Sequence, residues 1–348
     1  MRLRPASVAL SLLLLLVLAY TAWWVSASWT VRRALDDFAA RQRAEGATLA
    51  YQGPEIGGFP FAVEATVRDL DYVRPDGVRW QAQALALAAP PWDPYAIAVA
   101  LPGRQRATLP AAGARPLLDL VAAGGEGTLS LRPDGGLAAL ELALAKATLS
   151  PGPAAEGEAG TWPEMLTAAR LVLGLRHPDV PPADHRAPGL TLRLAAEGAS
   201  LPPVPGMAAV LDWVELTARV MGPPPAELSP AALSAWSGAG GTVELELARL
   251  DWGRLSASGS ATVALDGTLQ PIGAGSVKAR GFESVVETLT AQGGLRPNQA
   301  AMVQTALSLL AQRGEDGVPV LTLPLTLQDR TLSAGPLPLA KVPEIRWE

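Results

Sequence analysis

The chain has 348 residues, no cysteine, and a formal net charge of −5 that results from 28 basic and 33 acidic residues. Without cysteine it has no disulfide bond, thiol nucleophile or thiolate metal ligand, and without a basic patch no nucleic-acid partner is expected. Its 34 glycines and 32 prolines lie below the share typical of disordered low-complexity chains and indicate a folded protein with many turns.

The first predicted element is a membrane-spanning helix. An apolar run extends from Val8 to Val25, and eighteen helical residues rise ~27 Å, close to the roughly 30 Å hydrocarbon core of a bilayer. Tryptophans at the end of the run suit the headgroup interface. We therefore predict that residues 1–29 are a signal-anchor that binds the lipid bilayer. The predicted membrane-contacting residues are Val8, Leu12, Leu16, Tyr20, Trp23 and Trp24.

The sequence leaves open whether this segment is cleaved and how it is oriented in the membrane. A cleaved signal peptide also begins with basic residues, but its apolar region is usually about 7–15 residues long, so retention is favoured. Arg2 and Arg4 on one side nearly balance Arg32 and Arg33 on the other, so the positive-inside rule decides the orientation only weakly. Because long folded C-terminal domains are commonly translocated, we expect a single-pass protein of the inner (cytoplasmic) membrane with its C-terminal domain in the periplasm.

Beyond the anchor, the apolar spacing first predicts a helix and then strands. Val31, Leu35 and Phe38 follow helical spacing, which predicts a juxtamembrane helix over residues 30–46. Farther along, apolar and polar residues alternate, as in strands with one buried and one solvated face. Examples are the segments 63–67, 190–194, 255–265 and 321–327. Residues 47–348 are therefore predicted to form an exported β-rich domain.

Turn residues and irregular positions predict how the sheet is built. Asp-Gly pairs suit hairpin turns because glycine adopts positive φ. A change of phase near Ala248 predicts a β-bulge, and Pro324 predicts an edge strand or a bulge because proline cannot donate to a ladder. The Asp-Gly pairs are residues 76–77, 134–135, 266–267 and 316–317.

Short helices interrupt the predicted strands. Thr161–Glu164 fits a capping box, Ser229-Pro230 begins a second short helix, and residues 282–313 are predicted to form a helical hairpin. The regular βαβ spacing of a parallel sheet is missing from the sequence. The predicted fold class is mainly β (α+β): one N-terminal transmembrane helix, then a large curved antiparallel β-sheet body with short covering helices.

The sequence offers only weak candidates for chemistry. His177 and His185 share a proline-rich loop, but their spacing matches no standard zinc motif, so solvated histidines are favoured over metal ligands. Glu244 and Glu246 lie on the polar face of one strand, where solvated carboxylates are favoured over an acid–base pair. We therefore predict no catalytic residue, no cofactor, no metal and no enzymatic activity.

Four tryptophans are candidates for a ligand groove. Trp80, Trp92, Trp213 and Trp252 are spread over predicted strands and loop ends, and could line an apolar groove. Tryptophan in a chain with few aromatic residues usually lies in the core. We expect most of the four to be core residues.

The order and spacing of several short motifs resemble a known family. They are Gly57-Gly58-Phe59-Pro60-Phe61, Pro91-Trp92-Asp93-Pro94, Trp252-Gly253-Arg254-Leu255, and Leu323-Pro324-Leu325 followed by Gly335-Pro336-Leu337. From about Trp23 to the C-terminus, the chain resembles the uncharacterised envelope proteins of domain of unknown function family 2125, found mainly in alphaproteobacteria. The resemblance implies a membrane-anchored exported protein and carries over no catalytic residue. Asp329-Arg330 departs from the Asp-Gly that the family pattern favours there.

Three functions remain compatible with the sequence. The favoured one is a non-enzymatic envelope protein that faces the periplasm and binds an apolar or lipid ligand in a β-sheet groove. The alternative is an assembly or scaffold protein with an envelope protein partner and no ligand. A membrane-proximal hydrolase is a third, weaker alternative, because it would need polar groups that converge in a pocket.

Overall fold

The fold is taken from a computed structural model, which describes residues 5–109, 118–151, 166–200, 207–225, 227, 229–291, 293, 295–313, 317–335, 337–345 and 347. The side chains of residues 5–9, 151, 289 and 337–340 lie outside this description. The predicted capping box at Thr161–Glu164, and Asp316 of the last Asp-Gly pair, also fall outside the described residues.

A single long helix opens the chain. α1 (Pro5–Ala44) runs through both the predicted anchor and the predicted juxtamembrane helix, and its 40 residues span ~60 Å. It ends at Gly46, whose φ of 89° suits a residue without Cβ. Leu10–Ala44 is the only segment of the described chain that is both helical and apolar enough to cross a membrane. The apolar residues in its first half are largely exposed.

The rest of the described chain is dominated by eighteen strands. The first nine are β1 (Thr48–Gly57), β2 (Val63–Val73), β3 (Arg79–Ala89), β4 (Ala96–Leu101), β5 (Gln105–Leu109), β6 (Leu118–Ala122), β7 (Gly124–Leu131), β8 (Leu137–Pro151) and β9 (Leu166–Arg176). The others are β10 (Pro188–Ser200), β11 (Val210–Met221), β12 (Val243–Trp252), β13 (Leu255–Leu265), β14 (Pro271–Arg280), β15 (Gln312–Arg313), β16 (Pro319–Gln328), β17 (Thr331–Ala334) and β18 (Leu337–Lys341).

These strands are paired antiparallel, and most of them pair with their neighbours in sequence. β3 is long enough to pair with both β4 and β5, which follow one another along its edge. β6 and β7 are arranged in the same way along β8. From β8 onward the order is sequential, except that β14 pairs with β16 across an inserted helical pair. The predicted fold, mainly β with an apolar N-terminal helix and few short helices, is confirmed.

Two irregular positions show how the sequence shapes the sheet. The register of β12 skips Ala248 against both neighbouring strands, which confirms the predicted bulge. β16 is an internal strand, not an edge. Pro324 is tolerated because its carbonyl faces β17, accepting from Gly335 N–H at 2.9 Å, just beyond the last paired residues of β17. Its missing N–H would face the same side, so the ladder to β14 loses no bond.

The hairpin turn between β16 and β17 consists of Asp329-Arg330, where the sequence departs from the family pattern. Asp329 and Arg330 have φ values of 49° and 59°. Positive φ at both central residues is the geometry of a type I′ turn, which Asp-Gly would adopt with less strain. The chain therefore keeps the turn and accepts a non-glycine residue at its second position.

Three short helices accompany the sheet: α2 (Pro230–Gly238), α3 (Glu283–Ala291) and α4 (Pro297–Leu310). The Ser229 hydroxyl accepts from the Ala232 N–H at 3.3 Å and caps α2. α3 and α4 contact each other, and α4 contacts β16. Phe282 and Val286 are buried at α3, whereas the α4 side chains are mostly exposed.

The protein has a small core for its size. Its accessible surface is 21,400 Å², whereas a compact folded chain of 36.1 kDa is expected to expose about 13,000 Å². Buried side chains gather in two clusters, one around Leu101 and Leu144 and one around Ala196 and Leu211. Leu171 packs against both clusters, so they form one continuous strip. Because the described strands belong to one connected sheet, and the helices contact mainly its first and last long strands, much of the sheet is a single layer with two accessible faces.

Candidate apolar binding face

The strand register aligns apolar residues into a row that crosses thirteen strands. Because side chains on a strand alternate between faces, residues that are paired directly across the sheet share one face. This central row spans about 58 Å at the usual strand spacing. Its members are Ile56, Ala65, Leu87, Val99, Gly127, Leu142, Leu173, Leu194, Leu216, Leu247, Gly259, Val277 and Leu323. No member of the central row is polar.

Parallel rows on both sides widen this strip. Residues that lie two positions along each strand from the central row are again apolar and pair with one another across the sheet. Leu140, Leu175 and Leu192 are examples on one side. Leu144 and Leu171 belong to the row on the other side. We call the side of the sheet that carries the central row and these flanking rows the apolar face, and the opposite side the polar face.

The middle of the apolar face is open to solvent. Leu192 and Leu194 in β10 are 39% and 38% exposed, although Leu194 lies between Leu173 and Leu216, and Leu192 between Leu175 and Ala218. With Leu140, Leu173 and Leu216 they line a depression of about 410 Å³. Large aliphatic side chains that are held half-exposed by the backbone register are the surface that an apolar ligand would cover.

The two ends of the apolar face are covered by helices. The second half of α1 packs on β1 and β2, where Ala39, Ala65 and Leu70 are buried and the Tyr72 hydroxyl donates to Gln42 Oε1. At the other end α4 contacts β16, whose Leu321 is 1% exposed. The open part therefore lies between two closed ends.

Ion pairs occupy the polar face. Arg193 in β10 pairs with Glu215 at 2.8 Å, and Arg219 in β11 pairs with Glu246 at 2.8 Å. Glu244 and Glu246 line a depression of about 800 Å³ together with serine and threonine side chains of β13 and β14. Since Glu244 is exposed and Glu246 is half-exposed and paired with Arg219, these two residues do not form a buried carboxylate pair for acid–base chemistry.

Asp119 in β6 is the buried charge on this sheet. Its side chain is 6% exposed and accepts from Thr108 Oγ1 at 2.6 Å and from Arg106 Nε at 3.2 Å. Burial raises the pKa of Asp119, but the hydrogen bonds from Arg106 and Thr108 outweigh it, so the pKa lies below its ordinary value. The pair is structural, since both partners are fixed to one another on adjacent strands.

The predicted loop histidines are held by backbone contacts. His177 Nδ1 lies 3.3 Å from the Gly189 carbonyl oxygen, and the His185 ring lies against Gly222. Both side chains are half-buried. Within the described ranges, no group of three or more His, Asp or Glu side chains is arranged to hold a metal ion.

The four candidate tryptophans do not come together. Trp80 packs on the core cluster around Leu101, and Trp252 packs on the second cluster. Trp213 lies on the polar face with the Arg249 guanidinium 5.9 Å from its ring centroid, and Trp92 is exposed in the β3–β4 loop. Each follows its own strand, so they line no common groove, and leucines form the open part of the apolar face.

The predicted anchor residues divide into two groups. Leu12, Leu16 and Trp23 are exposed, and the Val8 side chain lies outside the described residues. Tyr20 and Trp24 instead contact the β1–β2 loop: Trp24 Nε1 donates to the Ala62 carbonyl at 2.8 Å, and the Tyr20 hydroxyl donates to the Pro60 carbonyl.

The contact between the β1–β2 loop and α1 is not predicted by the sequence patterns. Phe59 packs on Trp24 with ring centroids 5.4 Å apart, edge to face. Phe59 and Phe61 remain exposed at the end of the apolar run of α1. The sequence signal for this contact is the uncharged Gly58-Phe59-Pro60-Phe61 run.

Comparison with known proteins identifies one match. A family described as "Uncharacterized protein conserved in bacteria (DUF2125)" matches residues 24–343. No curated protein and no solved structure matches the chain. The matched range begins within α1 and extends beyond the last strand.

Proposed function

The chain belongs to this family of uncharacterised bacterial proteins, and we propose that it is a non-enzymatic, membrane-anchored envelope protein that binds lipid on its apolar face. In this proposal α1 crosses the inner membrane once, with its N-terminus in the cytoplasm. The sheet then lies in the periplasm. The observation that carries the proposal is the central row, an unbroken apolar strip across thirteen strands with a half-exposed middle.

The dimensions of the strip support a lipid rather than a small polar ligand. Its length of about 58 Å exceeds that of an acyl chain, and the depression around Leu194 is lined mainly by leucines. Exposed apolar area of this extent on a soluble domain marks a binding surface. The ion pairs Arg193–Glu215 and Arg219–Glu246 lie on the polar face, where they do not obstruct a hydrocarbon chain.

A photo-crosslinking experiment tests the proposal in cells. p-Benzoylphenylalanine is placed at Leu194 on the apolar face, and at Glu197 on the polar face of the same strand as a matched control. We expect phospholipid adducts at position 194 and none at 197, detected by mass spectrometry of the purified full-length chain.

The same experiment separates the alternatives. A discrete protein adduct at position 194 without lipid would overturn lipid binding and support an assembly role with an envelope protein partner. Equal lipid labelling at 194 and 197 would show non-specific contact and also contradict the proposal.

A further inference from the structure

We propose that the β1–β2 loop and the β3–β4 loop form a second membrane contact, which we call the aromatic foot. It places the end of the sheet that carries these two loops on the bilayer surface. The foot consists of residues 58–62 and 90–95. This inference rests on the proposed membrane anchoring by α1. Its partner is the lipid interface itself, at the level where α1 leaves the membrane.

The first loop is fixed directly to the anchor helix. Trp24 Nε1 donates to the Ala62 carbonyl at 2.8 Å, and the Tyr20 hydroxyl donates to the Pro60 carbonyl. The Phe59 ring lies 5.4 Å from Trp24 and 6.2 Å from Tyr20, measured between ring centroids. These contacts therefore fix the position of the loop along the axis of α1.

This position lies within the apolar run of α1, near its end. Tyr20 precedes Val25, the end of the run, by five residues, which is ~7.5 Å along a helix. If α1 spans the bilayer, the loop meets the boundary between hydrocarbon and headgroups. Aromatic side chains are enriched at this boundary.

The aromatic residues of the foot keep much of their surface exposed. Phe61 is 76% exposed and Phe59 52%. In the second loop Trp92 is 71% exposed and Tyr95 44%. The first loop carries no charge, and the second carries one, Asp93, whose carboxylate accepts from the Tyr95 N–H at 3.3 Å.

The sheet register places both loops at one end. Val63 at the start of β2 pairs with Ala89 at the end of β3, so the two loops leave adjacent strands at the same edge. The apolar face begins at this edge with Val63 and Leu87.

Depth-dependent quenching tests the foot in the full-length protein. Because the chain has no cysteine, single variants Phe61→Cys and Trp92→Cys can each carry one environment-sensitive NBD dye. The protein is reconstituted in vesicles of phosphatidylethanolamine and phosphatidylglycerol that contain a nitroxide-labelled lipid. Val17→Cys in α1 serves as the control for anchoring, and Asp76→Cys in the turn at the opposite end of the sheet serves as the control for exposure to water.

We expect strong quenching at positions 17, 61 and 92, and none at 76. Quenching at 17 but not at 61 would overturn the foot while the anchor stands. Quenching at 61 without 92 would overturn the joint action of the two loops. If position 17 is not quenched, α1 does not span the membrane, and both the proposed anchoring and this inference are wrong.

Discussion

Individual charged residues in this protein are placed by the strand register. Asp119 illustrates this, because the register places it between Thr108 and Ser150 on the polar face, where it is buried. It is retained as a charge because Arg106 and Thr108 both donate to it. A buried charge without such partners would be expelled or neutralised.

Asp119→Asn is expected to lower the free energy of unfolding at neutral pH by about 1–3 kcal/mol, because it weakens hydrogen bonds to a buried ionised group. Since the folded-state pKa of Asp119 is depressed, its stabilisation is present above the unfolded-state pKa of ~3.9 and is lost as the pH falls through the folded-state pKa. Denaturant unfolding at neutral and strongly acidic pH should show the difference between variant and wild type shrinking in acid.

The matched control is Glu197→Gln, an exposed carboxylate on the same face, which should change stability by less than ~0.5 kcal/mol. A penalty for Asp119→Asn that does not depend on pH would contradict the electrostatic account of this site.

At the scale of elements, glycines allow neighbouring strands to approach closely within the apolar rows. A Cβ built at Gly275 in β14 would collide with the Ser260 carbonyl oxygen and with Ala261 of β13. Gly57 in β1 has open space at the same atom. Both glycines lie in strands, but only Gly57 has space for a Cβ atom.

Gly275→Ala is expected to destabilise the fold by about 1–3 kcal/mol because the added methyl group overpacks the β13–β14 contact. Gly57→Ala is expected to be neutral or stabilising by up to ~1 kcal/mol, because alanine restricts the unfolded chain. Thermal unfolding of both variants provides the measurement, and an equal effect would show that close packing is not what selects glycine at position 275.

At the scale of the whole molecule, one long helix and a single-layer sheet give the protein an unusually large surface. The helix covers the first strands, the α3–α4 pair lies beside the last long strand, and leucines remain half-exposed between them. This arrangement suits a body that operates beside a membrane and covers its apolar face with a ligand or partner.

A reporter fused after Glu348 tests the proposed topology. Alkaline phosphatase at this position should be active, because it folds only after export, whereas a matched fusion directly after Arg4 should be inactive. Activity of the Arg4 fusion alone would reverse the proposed orientation.

Local patterns determined much of this protein from the sequence alone. The apolar run of α1, the alternation within strands and the phase change at Ala248 are each visible within a few residues, because the helical and strand periods act locally. The mainly β fold followed from these patterns, whereas the family resemblance followed from the order and spacing of short motifs.

Only the tertiary structure decided which residues face each other. Leucines as distant as Leu87 and Leu323 join one row because every intervening strand keeps its register, whereas the candidate tryptophans separate to different faces. The docking of Phe59 on Tyr20 and Trp24 likewise joins residues that are nearly forty positions apart. Periodicity fixes the face of a side chain within its own strand, but only the pairing between strands fixes its neighbours.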